Sequence, residues 1–129
     1  MSSPTTARLA QILSSARLIF HSEAELQQHL ASLLAESGFA FSREHALSRR
    51  DRIDFLVDLG VGLEVKIGGS PAPIVAQLAR YAVHADIAEL VLVTTSLRHK
   101  ACFPRKIGGK AVTCIHLTGS TDRKSTRLN

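Results

Sequence analysis

Residues 52–69 read RIDFLVDLGVGLEVKIGG, and this stretch decides the architecture. Polar and apolar side chains alternate from Arg52 to Asp58, the period of a strand. Ile53, Phe55 and Val57 then share one face and Asp54 takes the other. Leu59-Gly60 supplies a turn, and Val61 to Ile67 alternates again, so the two runs predict a β-hairpin. In the second run Glu64 and Lys66 share a face opposite Leu63 and Val65.

The flanking sequence completes an α/β pattern. Downstream, Gly68-Gly69 breaks the chain, Ser70 is placed to cap a helix and Pro71 suits its first turn. That helix reaches about His84 on Ile74, Val75, Leu78 and Ala82. Residues 89–95 (ELVLVTT) are almost continuously apolar, as in a strand buried on both faces. Residues 97–109, with Pro104 and Gly108-Gly109, predict one irregular helical turn, and residues 111–117 a final strand. Upstream, residues 5–19 form a short amphipathic helix. Ser22-x-x-Glu25 is a capping box that opens a second one, with Leu26, Leu30, Leu33 and Leu34 in a stripe that stops at Gly38. Residues 39–47 predict a weakly patterned strand. The order ααβββαβ(α)β implies a mixed central β-sheet flanked by helices. No internal repeat or interdomain linker interrupts it.

Composition removes several function classes. At 129 residues, 45% hydrophobic and 21% charged, the chain suits one globular domain rather than a disordered one. It contains no apolar run long enough for a transmembrane helix, no secretory leader and no phosphate-cradling Walker loop. Two cysteines, Cys102 and Cys114, make no disulfide framework and suit a reducing cytoplasm. Residues 122–129 (DRKSTRLN) read back as GAT CGG AAG AGC ACA CGT CTG AAC, which resembles a sequencing-library adapter translated in frame. The expected native domain is therefore residues 1–121. Without the tail the formal charge falls from +5 to +3, compatible with a polyanionic partner but no argument for one.

Asp54, Glu64 and Lys66 carry the chemistry. Adjacent strands bring them to one side of the hairpin. Two neighbouring carboxylates repel unless a cation neutralises them, and hard oxygen donors suit Mg²⁺, with Mn²⁺ as a substitute. A lysine beside that cation can position or activate a water for attack on a phosphodiester, while the metal polarises the phosphoryl oxygen.

Asp54, nine residues, then Glu64-Val65-Lys66, within an α-β-β-β-α-β order, resembles the PD-(D/E)xK, or restriction-endonuclease-like, nuclease superfamily. The resemblance covers about residues 22–117, with the first helix as an addition. Ile53 stands where that family usually has proline. The resemblance implies a Mg²⁺-dependent deoxyribonuclease in which Asp54 and Glu64 ligate the metal, joined by the Val65 carbonyl, and Lys66 positions the water. It implies further that Glu23, on the first core helix, supports the metal. Glu23 precedes Leu26-Gln27 in a pattern found in some members, whereas Glu25 has local work in the capping box. Gln77-x-x-x-Tyr81 is similar to a motif of the exonuclease-type branch, adding Gln77 to the catalytic set and both residues to the DNA contacts. Small nucleases of this kind often dimerise to cut both strands, so a homodimer is compatible, as is a microbial or phage source.

Arg43, Arg49, Arg50 and Arg52 cluster around one turn and are candidate phosphate contacts, although solvated turn arginines look the same. The competing function is a catalytically inactive nuclease-fold module that binds nucleic acid or protein. RNA is a further substrate class the residues leave open. His99-x-x-Cys102 with Cys114-x-His116 invites a zinc reading, but there is no Cys-x-x-Cys knuckle to support it.

Overall fold

The structure is a computed structural model that describes residues 2–118. The adapter-like segment 122–129 lies outside the described residues. Within them, α1 (Pro4–Ser15) and α2 (Glu23–Glu36) precede a meander of β1 (Phe41–Ala46), β2 (Arg52–Val57) and β3 (Val61–Lys66). Then come α3 (Pro71–Ala82), β4 (Glu89–Thr94), α4 (Leu97–Cys102), β5 (Lys106–Ile107) and β6 (Lys110–His116). The six strands form one mixed sheet in the order β1-β2-β3-β4-β6-β5. Pairing is antiparallel through the meander, parallel for β3–β4 and β4–β6, and antiparallel again for β5–β6. No helix among the described residues is long and apolar enough to cross a membrane.

Alternation along β4 separates two apolar layers. Val91 and Val93 join Leu9, Leu13, Leu26, Leu30 and Leu34 of α1 and α2. Leu90 and Leu92 instead join Ile74, Leu78 and Tyr81 of α3. All six β4 residues are buried, as a central strand covered by helices requires. The 106–107 strand was not foreseen, since two residues carry no periodicity. Residues 97–102 form a regular short helix rather than an irregular turn.

Ile53 departs from the expected hairpin face. It packs with the α3 layer, while Phe55 and Val57 pack with α1 and α2. The face alternation of β2 therefore breaks at Asp54, opposite an irregularity across the ladder. Glu44, which should pair with Asp54, has φ +49, and β1–β2 pairing skips that position while keeping register on either side. A left-handed glutamate is uncommon, and such strain clusters at functional sites.

Gly62 gives Ile53 room on this face. A Cβ there would stand 2.6 Å from Ile53 Cδ1 and 2.7 Å from Ile87 Cδ1, both in the α3 layer. Gly62→Ala should therefore destabilise the fold by about 1–3 kcal/mol through overpacking. Urea denaturation measures this, and an unchanged midpoint would show that the layer repacks freely.

Candidate active site

The β2–β3 ladder closes at Phe55–Leu63, one step short of Asp54 and Glu64. In register those two residues face each other, but the strands diverge there and the carboxylates take over the freed backbone donors. The Asp54 N–H donates to Glu64 Oε1 at 3.2 Å, and the Val65 N–H donates to Asp54 Oδ2 at 2.8 Å. A strand residue's carbonyl projects from the same edge as its N–H, so the Val65 carbonyl also lies on the diverging side. Lys66 Nζ stands 3.7 Å from Glu64 Oε2. The three residues expected to carry the chemistry are thus brought together at the open end of the hairpin.

Burial makes this pair reluctant to ionise. Glu64 is 3% exposed. Its pKa is pushed up to about 8, first by burial and then by the Asp54 charge, against the opposing Asp54 N–H and Lys66. Asp54 is pushed up to about 6, again mainly by burial, with the charges of Glu23 and Glu44 adding to it and the Val65 N–H opposing. Removing two carboxylates from water while holding them side by side favours either a shared proton or a cation. The donor chemistry suits Mg²⁺, which takes one or two carboxylates and keeps several waters. Among the described residues, no group of three or more His, Cys, Asp or Glu side chains gathers closely enough to hold a metal by itself. Any cation here would use two carboxylates, the Val65 carbonyl and water.

Two acids of α2 have different positions. Glu25 accepts from the His21 N–H at 2.5 Å, while the Ser22 hydroxyl accepts from the Glu25 N–H at 3.1 Å. The capping interaction exists, but the Glu25 carboxylate reaches one residue further back than the Ser22 amide expected of it. Glu23 lies near enough for its charge to raise both Asp54 and Glu64. If the chain has the metal-dependent nuclease activity that the resemblance implies, Glu23→Gln should impair it with little change in melting temperature. Glu25→Gln should instead weaken the helix start by about 1 kcal/mol or less. Paired cleavage assays and melting curves separate them, and loss of activity in Glu25→Gln alone would reverse the assignment.

On α3, Gln77 and Tyr81 do lie together, although not both at the surface. Tyr81 is 2% exposed and its hydroxyl donates to the Arg52 carbonyl at 2.9 Å. Gln77 Nε2 donates in turn to that hydroxyl, also at 2.9 Å. Burial and the nearby Glu64 and Asp54 charges hold the phenol above its ordinary pKa, so it stays neutral. Tyr81 therefore acts as a buried strut for Gln77 and cannot itself reach a DNA backbone in this arrangement. Gln77, Lys66, Pro73, Ile74 and Arg80 line an open cleft of about 310 Å³.

The four arginines are all exposed, but their partners differ. The Arg43 guanidinium lies 5.6 Å from the Phe55 ring centroid and donates to Gln28. Arg52 donates to the Glu44 carbonyl at 3.0 Å. Arg49 and Arg50 are exposed in the β1–β2 turn. The histidines of the zinc pattern have other partners: His99 meets Thr94 and Gly69, and His116 meets the Thr95 carbonyl.

Sequence reasoning missed Glu44 and considered His99 only in the zinc pattern. Glu44 is notable for a backbone angle, which residue identity does not announce. His99 sits in a segment whose regular helix had no visible period. No protein-family model, curated protein or solved structure matches the chain.

Proposed function

We propose that this protein is a Mg²⁺-dependent nuclease with a restriction-endonuclease-like core, hydrolysing DNA phosphodiester bonds. The observation that carries the reading is the divergence of β2 and β3 at Asp54 and Glu64, with Lys66 at its lip. A buried like-charge pair is costly to maintain, and a cation-assisted reaction on a polyanion gives that cost a purpose.

Asp54 and Glu64, with the Val65 carbonyl, would hold the cation, which would supply Lewis-acid stabilisation of charge developing on the phosphoryl group. Lys66 then exchanges its contact with Glu64 for the attacking water, which it orients through Nζ. Glu23 supports the carboxylate pair electrostatically. Gln77, braced by Tyr81, donates toward the phosphate backbone from α3, and Arg49 and Arg50 provide exposed positive charge for a neighbouring phosphate.

A second reading is a nucleic-acid-binding module with the same core and no catalysis. It is favoured by the small donor set, two carboxylates rather than three or more gathered side chains. Purified protein lacking residues 122–129 should be tested on linear, circular, single-stranded and branched DNA and on RNA. Cleavage that needs Mg²⁺ and stops with a chelator supports the nuclease. Retained binding without cleavage in either metal condition supports the module.

A further inference from the structure

The turn between Lys66 and α3 is lightly held by backbone. Gly68, Gly69 and Ser70 make no loop-type backbone–backbone hydrogen bond among the described residues. Ser70 occupies the N-cap of α3 without a side-chain capping bond. Gly69 has φ +92, and a Cβ at either glycine would meet nothing within 4 Å. Nothing packs closely on its two glycines, and the turn joins the end of β3, with Lys66, to the helix that carries Gln77.

Two side chains from the β4–α4 segment do reach it. Thr95 Oγ1 donates to the Ile67 carbonyl at 3.2 Å. His99 is fully buried, with Nε2 2.7 Å from the Gly69 carbonyl and Nδ1 2.6 Å from Thr94 Oγ1. Its two partners fix its tautomer. A carbonyl only accepts, so Nε2 carries the proton. Thr94 Oγ1 already accepts from the Ser96 N–H at 3.0 Å and can give its own hydrogen to Nδ1. Every polar atom of this buried chain is thereby satisfied with a neutral imidazole.

We infer that His99 is a positioning residue, which sets the spacing of Lys66 and Gln77 by holding the Gly69 carbonyl through its Nε2–H. The inference rests on the nuclease reading for its catalytic consequence, and on the hydrogen-bond chain alone for its structural one. An apolar residue of similar bulk would fill the same volume beneath α4, so packing does not explain an imidazole bonded at both nitrogens. A misplacement near 1 Å between reacting groups is enough to slow a reaction by about 100-fold.

Two substitutions divide the ring. In His99→Gln the amide reaches the place of Nε2 and can still donate to Gly69. In His99→Asn it reaches only the place of Nδ1, keeping Thr94 and releasing Gly69. Each loses one of two buried bonds at one position, so their melting temperatures should fall together. Under saturating Mg²⁺ the asparagine variant should show kcat lowered by roughly 10- to 100-fold with KM little changed, and the glutamine variant should stay near wild type. The carbonyl carbon shift of Gly69, which reports the bond it accepts, should move in the asparagine variant and stay near wild type in the glutamine variant. Equal kcat and equal Gly69 carbonyl shifts in the two variants would overturn the inference. Should the wild type itself not cleave DNA, the nuclease reading falls, and the carbonyl-shift comparison still decides whether His99 holds the turn. If a variant does not fold, nitrogen NMR of the wild-type ring decides: protonation at Nδ1 alone would contradict the bond to Gly69.

Discussion

Lys66→Ala and Glu64→Gln are each expected to reduce Mg²⁺-dependent DNA cleavage by about 10²–10⁴-fold, the usual worth of a positioned proton-handling or water-orienting group. Neither change opens a cavity in either apolar layer. Lys66 is partly exposed at the strand end, and Gln is isosteric with Glu. Both proteins should fold, with circular dichroism spectra like that of the wild type. Single-turnover rates at saturating substrate measure the loss. Full activity in either purified variant would exclude the catalytic role given to this strand.

The second large effect concerns pH. Glu64 and Asp54 titrate near 8 and 6 in the fold, against 4.5 and 3.8 when unperturbed. The folded state therefore binds more protons than the unfolded chain between these limits, and metal-free stability must fall as pH rises through that window. The contribution is fully present below about pH 4 and is lost by about pH 8, with about 8 kcal/mol as its upper bound. Mg²⁺ acts on the ionised pair, so its stabilising effect should grow over the same range. Melting temperatures from pH 4.5 to 8.5, with and without Mg²⁺, test both statements. Glu64→Gln should flatten the metal-free profile and melt higher than wild type at pH 8. A metal-free melting temperature that is level or rises with pH would contradict the burial of this pair.

Much of this geometry was legible in the chain because it is local. Asp54 and Glu64 belong to one hairpin, and strand alternation alone places their side chains near each other across a short turn. Ser22, Gly38 and Pro71 mark their helix boundaries through backbone preferences that residue identity expresses directly. The break in alternation at Asp54 was not legible. It lies opposite a left-handed angle at Glu44, a residue type that seldom adopts one, so ordinary alternation wrongly grouped Ile53 with Phe55. The inward turn of Tyr81 was hidden for another reason. Helical spacing places it beside Gln77, but only the tertiary approach of the Arg52 carbonyl makes burying a phenol hydroxyl favourable. The same holds for His99, whose two acceptor and donor partners come from β4 and from a turn 30 residues away.

The sheet's mixed pairing has a kinetic corollary. β1, β2 and β3 are joined by short turns, so their contacts close small loops. β3–β4 and β4–β6 are parallel and must wait for α3 and for the 97–109 segment to cross over. Loop closure of that length slows folding. The meander should accordingly gain protection first in pulse-labelled hydrogen exchange during refolding, with β4 amides following; simultaneous protection of both would contradict this order. The acidic pair would then come together before the rest of the sheet and its helices have closed, while water can still solvate both charges. Refolding at alkaline pH should be slowed mainly at the late step, when the pair is buried and that water has to leave.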